Sequence, residues 1–299
     1  MLTRVLWACV GFMSFSGIAG ASRADGPAEE DAQVAGAEQS SAEVARFEEA
    51  EGLEAEVSSP PMAMDDPGTP GRQGIELNFV GTLARVGETR GTESLLDANF
   101  GIGDRLQLKF ERPYVTTGRT GGTAQKGLGA TEIGVKWRFV DRNGLELAVY
   151  PQYEFNDAFL PKDEAGNPEE SEGHSAYFPL LISKTVARGY TVAANLGYRH
   201  NTDHSTNDRV VALGLGRVLG SNGRILSEVY SERDEHFRSR QTEVRVGVVQ
   251  LLFPKRLAST GFEFPGYAAL GRSVGRTEEG EAVTSFTFGV SVIKKPIGE

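Results

Sequence analysis

LLDANFGIGDRLQLKFERPYV, Leu95 to Val115, alternates two chemistries residue by residue. Leu96, Ala98 and Phe100, then Leu106, Leu108 and Phe110, are apolar. Asp97 and Asn99, then Gln107, Lys109 and Glu111, are polar or charged. Gly101-Ile102-Gly103-Asp104 joins the two halves. A period of two is the spacing of a strand, so the stretch reads as a hairpin with one apolar and one charged face. Two solvents fit such a hairpin. Either the apolar face packs into a soluble core, or it meets lipid while the charged face lines a tube.

Length and loop order separate the two. From Gln73 onward the sequence predicts strands at about 73–86, 92–102, 105–115, 128–140, 145–156, 175–187, 190–200, 209–219, 224–234, 240–252, 260–271 and 282–293. That is an even set of about twelve, many reaching 11–13 residues, where soluble strands average about 5–6 and a tilted bilayer-crossing strand needs about 9–11. GIGD, DRNG, ARGY and GSNG are tight turns, and FPKRLAS is somewhat longer. TTGRTGGTAQKG, DAFLPKDEAGNPEESEGH, NTDHSTND and SVGRTEEGEA, on the alternate connections, are mostly longer and polar. Short connections at one end and long ones at the other predict an up-and-down barrel with periplasmic turns and external loops. Aromatics near predicted strand ends (Phe100, Tyr114, Trp137, Phe139, Tyr177, Phe178, Tyr190, Tyr198 and Phe253) fit interfacial girdles. The fold expected is all-β: a transmembrane antiparallel β-barrel of about 12 strands, preceded by a disordered acidic segment.

The N-terminus is of another composition. Met1–Arg4 followed by VLWACVGFMSFSGIAGA, then small residues with A-x-A-like sites near Ala21 and Ala24, reads as a secretory signal over 1–24. The single cysteine, Cys9, lies inside it, so the exported chain is expected to lack thiols and disulfides. Residues 25–71 carry thirteen acids against Arg46 and few large apolar side chains. That stretch is expected to be a solvated or weakly helical linker, with a luminal plug or a periplasmic docking segment as the alternative. The chain's net charge of -10 is concentrated there, so the barrel (72–294) sums to about zero. Residues 295–299 form a short C-terminal tail.

LLDANFGIGDRLQLKFERPYV, GLGATEIGVKWRFVDRNG, LAVYPQYEFN and YFPLLISKTVARGYTVAANLGYRHN resemble the outer-membrane proteins of the phenol meta-pathway degradation family, often labelled transporters. The resemblance spans most of 72–293 and consists of strand-and-turn patterns. It implies a Gram-negative outer-membrane location and a role in passing aromatic or other small hydrophobic compounds.

Little in the sequence points to catalysis, and no enzyme activity or cofactor is expected. His200 and His204 with Asp208 have ligand-like spacing, but a metal site needs a further ligand and a held geometry. His174-Ser175 and His204-Ser205 are adjacent pairs whose side chains diverge on a strand. No basic stripe with interleaved aromatics suggests nucleic acid.

The lumen carries the chemistry. Strand parity turns Asp97, Asn99, Lys109, Glu111, Glu132, Lys136, Arg138, Gln152, Glu154, Arg199, Glu228, Glu243 and Arg245 inward, with Glu76, Asn78, Lys184, Asn195 and Glu263. Mixed acids and bases predict cross-strand ion pairs around a narrow polar pore for small molecules, with an acidic surplus favouring cations. The alternative is a non-conducting structural, adhesive or sensory barrel. Expected partners are outer-membrane lipid, the barrel-assembly machinery and a small solute. Arg112 falls on the lipid face unless Pro113 marks a bulge. RVVALGLGRVL (209–219) is apolar on both faces and has no orientation by pattern.

Overall fold

The computed structural model describes residues 55–119, 122–155, 174–187, 189–202, 207–234, 241–254, 260–274 and 282–294. The expected signal peptide, the first part of the acidic segment, His204, His236 and the 295–299 tail lie outside the described residues.

Twelve staves form one sheet. They are β1 (Ile75–Val86), β2 (Thr89–Ile102), β3 (Leu106–Arg119), β4 (Gln125–Leu128 and Thr131–Arg142), β5 (Leu145–Val149 and Gln152–Phe155) and β6 (Ser175–Ala187). β7 (Tyr190–Asn201), β8 (Asp208–Leu219), β9 (Gly223–Asp234), β10 (Gln241–Leu251), β11 (Phe262–Glu263 and Pro265–Ser273) and β12 (Val283–Lys294) complete it. Each pairs antiparallel with the next in sequence. β12 closes on β1 from Ile75↔Lys294 to Val86↔Val283, so the sheet has no free edge. The connections at 103–105, 143–144, 188–189, 220–222 and 252–261 lie at the end where β1 starts and β12 finishes. The remaining connections belong to the opposite end and most are longer, with 87–88 and 252–261 the exceptions to the sorting.

Solvent exposure is inverted relative to a soluble protein. Phe79, Leu96, Phe110, Val135, Trp137, Leu213 and Phe288 are all exposed, while Asn78, Asp97, Lys109, Lys136, Glu228, Glu243 and Arg245 are buried. An apolar outer band around a polar interior is what lipid outside and water inside require. Leu213 is 58% exposed in the middle of β8. Replacing it by arginine is expected to cost about 2–4 kcal/mol in lipid. Denaturant unfolding of the refolded barrel in liposomes measures this; a neutral effect would place Leu213 away from lipid.

Several strand details differ from the pattern reading. The β2–β3 register runs unbroken through Leu95↔Pro113, so Pro113 makes no bulge. Arg112 stays on the outer side and donates to the Thr131 hydroxyl. Tyr177 belongs to no girdle, being buried inside. Lys184 is also misassigned by polarity. In β6 the inward positions are Ser175, Tyr177, Pro179, Leu181 and Ser183, so Lys184 points outward near the turn end and donates to Asn143 O at 2.6 Å. β8 gains an orientation: Val210, Ala212, Gly214 and Gly216 face inward, and Val211, Leu213 and Leu215 face out.

Candidate functional site: a plugged polar lumen

Residues 55–71 lie inside the barrel. Over this part the segment is the luminal plug given as the alternative, and not the solvated linker expected over 25–71. The segment enters at the short-turn end, with Ala55 against Gly216 of β8, and returns to that end with Gly71 against Gly101 of β2. Its apex, Pro61 to Asp65, reaches mid-barrel. Side chains at these glycines would collide with the plug. A Cβ at Gly214 would lie 2.6 Å from Met64 Sδ, and one at Gly247 would lie 2.5 Å from Met62 Cε. Strand glycines mark such close approaches. Val57, Met62 and Met64 join Val210, Ala212, Leu226 and Ala269 in one apolar cluster. That is why β8 is apolar on both faces: its outer face meets lipid and its inner face meets the plug.

Polar contacts hold the apex from both sides. Glu228 accepts from the Ala63 N–H at 2.7 Å and the Met64 N–H at 3.0 Å. Arg245 donates to Pro61 O at 3.1 Å. Across the lumen, Lys136 donates to Asp66 O at 2.8 Å and Gly68 O at 3.1 Å, and Gln152 donates to Asp65 at 3.4 Å. Hydrogen bonds to ionised groups are among the stronger ones, and here they grip backbone atoms of an otherwise irregular segment. The plug adds no strand to the barrel wall.

The wall's own charges sit in two clusters on opposite sides. On β3 and β4, Lys109 pairs with Glu111 at 2.7 Å and with Glu132 at 3.0 Å. On β9 and β10, Arg245 lies 3.1 Å from Glu243 and 3.6 Å from Glu228, its directly opposed neighbour. Arg138 pairs with Glu146 at 2.6 Å, and Arg199 with Glu232 at 3.3 Å. Asp97 accepts from Asn78 and Asn99, and Asn99 in turn accepts from Gln107. Of the thirteen residues that parity turned inward, Asp97, Asn99, Lys109, Lys136, Gln152, Glu228, Glu243 and Arg245 are buried on the lumen side. Glu111, Glu132, Arg138, Glu154 and Arg199 occupy the inward register with partial exposure.

The polarity rule misses the tyrosines. Tyr150, Tyr177, Tyr230 and Tyr267 are buried in the lumen. Three rest on glycines of adjoining staves: Tyr150 against Gly134, Tyr177 against Gly197 and Tyr267 against Gly289. Lys136 Nζ stands 4.9 Å from the Tyr150 ring centroid, and the Arg199 guanidinium 5.2 Å from that of Tyr177. Tyr150 shares its parity with Ala148 and Gln152, so strand period alone places it inward.

A cavity of about 450 Å³ remains between the plug's two limbs and the wall. It runs from Asp65, Asp97, Lys109 and Tyr150 at its inner end to Asp104, Glu263 and Ile293 at the turn end. The remaining chemistry is sparse. His200 Nδ1 lies 2.7 Å from Asn207 Oδ1, and His174 stacks on Tyr153. Among the described residues no three His, Cys, Asp or Glu side chains gather as metal ligands.

Three solved structures share the fold. The COG4313 outer membrane channel from Pseudomonas putida F1 matches at 12% identity and a TM-score of 0.51, over 74% of this chain and 93% of that one. NanC porin matches at 10% identity and 0.50, over 74% and 100%. The β domain of the Bordetella autotransporter Brka matches at 13% identity and 0.50, over 75% and 99%. No family model and no curated protein matches the chain. With its exposed apolar belt and these likenesses in fold, the protein has the fold of a transmembrane β-barrel of the kind found in outer-membrane channels and porins.

Proposed function

We propose that the protein is an outer-membrane channel for small polar solutes, held shut in this state by its own residues 55–71. The observation that carries the reading is the way the plug is attached. The ring closes between β1 and β12 without it, and side chains of a polar wall hold it. It can therefore leave without breaking a strand ladder. Side chains fill a barrel of about eight strands, and this wider ring has its lumen closed by the plug as well.

The resemblance to phenol-pathway proteins is refined by the lumen chemistry. Four inward tyrosines amid ion pairs favour small aromatics that bear polar groups over bare hydrocarbons. Tyrosine faces accept rings, and hydroxyls and charges satisfy polar substituents.

Selectivity tests the wall assignment. In the barrel freed of its plug, Glu111, Glu132, Glu154, Glu228, Glu232 and Glu243 outnumber Lys109, Lys136, Arg199 and Arg245. A narrow lumen focuses that field, so cations should be preferred modestly. Glu132→Gln and Glu154→Gln together are expected to lower the cation preference in salt-gradient reversal potentials. A reversal potential of the anion-selective sign would contradict the assignment, and a plug-free barrel with no conductance would contradict the channel itself.

A further inference from the structure

We infer that the outward rim of β11, β12, β1 and β2, at the long-loop end, binds the phosphate groups of an outer-leaflet lipid. The inference goes beyond the channel reading to a membrane partner. It rests on the outer-membrane placement in that reading and not on conduction.

Strand register assembles the site. Arg272 opposes Thr284, Thr284 opposes Arg85, and Arg85 opposes Arg90, so three arginines stand in one row across four adjoining staves. All three are exposed on the outward face. Neighbouring staves lie about 4.8 Å apart, so the row extends over roughly 14 Å. Lys126 adds an exposed cation one row nearer the membrane, opposite Thr116 of β3. Thr284 within the row and Gly118 beyond Arg90 are small, and leave the guanidinium groups uncovered.

The charges of this rim are not balanced by the wall. Directly opposed like charges on one sheet face repel each other. In these four staves Glu93 and Asp97 are buried in the lumen, and Glu76 and Glu263 lie at the short-turn end. Glu88, in the 87–88 turn, pairs with Arg119 at 3.2 Å. Arg85 Nε donates to Gly87 O at 3.0 Å, which steadies its guanidinium. Arg90, Lys126 and Arg272 have no ion-pair or hydrogen-bond partner among the described residues. An anion from outside the chain supplies the missing counter-charge.

The row beneath decides what carries that anion. Leu270, Phe286 and Leu83 stand side by side directly below the arginines, and all three are exposed. Acyl chains fit that row and a phosphorylated headgroup fits the one above it. Guanidinium groups bind phosphate through paired hydrogen bonds, and basic clusters at a membrane edge hold lipid phosphates in the same way. Inorganic phosphate would meet the arginines and leave the apolar row unused.

Native mass spectrometry of the full chain refolded in nonionic micelles tests this, with bis-phosphorylated lipid A, dephosphorylated lipid A and inorganic phosphate as probes. Saturable binding of the phosphorylated lipid is expected, about tenfold tighter than the dephosphorylated one, and undisturbed by equimolar inorganic phosphate. Arg85→Gln with Arg90→Gln, checked for unchanged heat-modifiable migration, should weaken binding of the phosphorylated lipid roughly tenfold. Arg272→Gln alone should weaken it about threefold, and serves if the double variant does not fold. Arg217→Gln, which removes an exposed outward arginine at the short-turn end of β8, should leave it unchanged. Equal binding of the two lipids, displacement by inorganic phosphate, or an equal loss in Arg217→Gln overturns the inference. Lipid binding is read without conduction, so its failure is distinct from the failure of plug-free barrels to conduct.

Discussion

Deleting residues 55–70 is expected to raise the open-state conductance at least about tenfold in planar bilayers, while the barrel still assembles and migrates as a heat-modifiable band. The segment occupies the short-turn half of the lumen and reaches the two charge clusters at mid-depth. With it gone, the path between Lys109 on β3 and Arg245 on β10 is open to water. Glu228 and Arg245 lose their backbone partners but keep each other at 3.6 Å, and water can reach them. The wall keeps every strand pairing, because none involves the plug. Degradation of the truncated chain would instead mean that the plug is needed to build the wall.

Glu228→Ala in the full chain is the second large effect. Its carboxylate takes two backbone N–H groups of the apex and faces Arg245. Hydrogen bonds to charged groups contribute about 1.5–3 kcal/mol each. Loss of both should weaken the seat by about 3 kcal/mol or more, roughly a hundredfold in the ratio of shut to open states. Single-channel records should show long openings where the unaltered chain shows brief ones. Glu228→Gln keeps an acceptor oxygen and should fall between the two. If all three chains open equally often, the contact at Glu228 does not set the gate.

The wall was legible in the sequence because lipid and water impose opposite demands on alternate residues. Leu96, Leu108 and Phe110 on one face, with Asp97, Lys109 and Glu111 on the other, determine parity, and parity with stave length determines the barrel. The rule fails where the inner face is not polar. Leu181 and Tyr177 face inward in β6, so choosing the charged Lys184 as the inward residue reversed the side to which it belongs.

The plug was legible only as an alternative to a solvated linker, for a related reason. Val57, Met62 and Met64 are too few to order a segment rich in acids, prolines and glycine alone, since backbone ordering costs about 1–2 kcal/mol per residue. They are ordered because a preformed wall offers an apolar surface and charged side chains that grip the backbone. The trace of this lay elsewhere in the chain: RVVALGLGRVL has an apolar face that neither lipid nor water explains. Gly214 and Gly216 on that face leave room for Met64, Val57 and Ala55.

In the proposed gate, residues 55–71 shut the lumen and leave it when the channel opens. A Cβ at Gly214 would lie 3.2 Å from Val57 Cβ, close to the span of a disulfide once Met64 shifts aside. The only cysteine of the sequence, Cys9, lies in the expected signal peptide, so a Val57→Cys, Gly214→Cys pair would have no competing thiol in the exported chain. The decisive measurement is the bilayer conductance of that pair in the Glu228→Ala chain, oxidised and then reduced. Shut channels when oxidised, opening on addition of reductant, are the predicted result. Equal conductance in the two states, whether high or absent, would contradict the account.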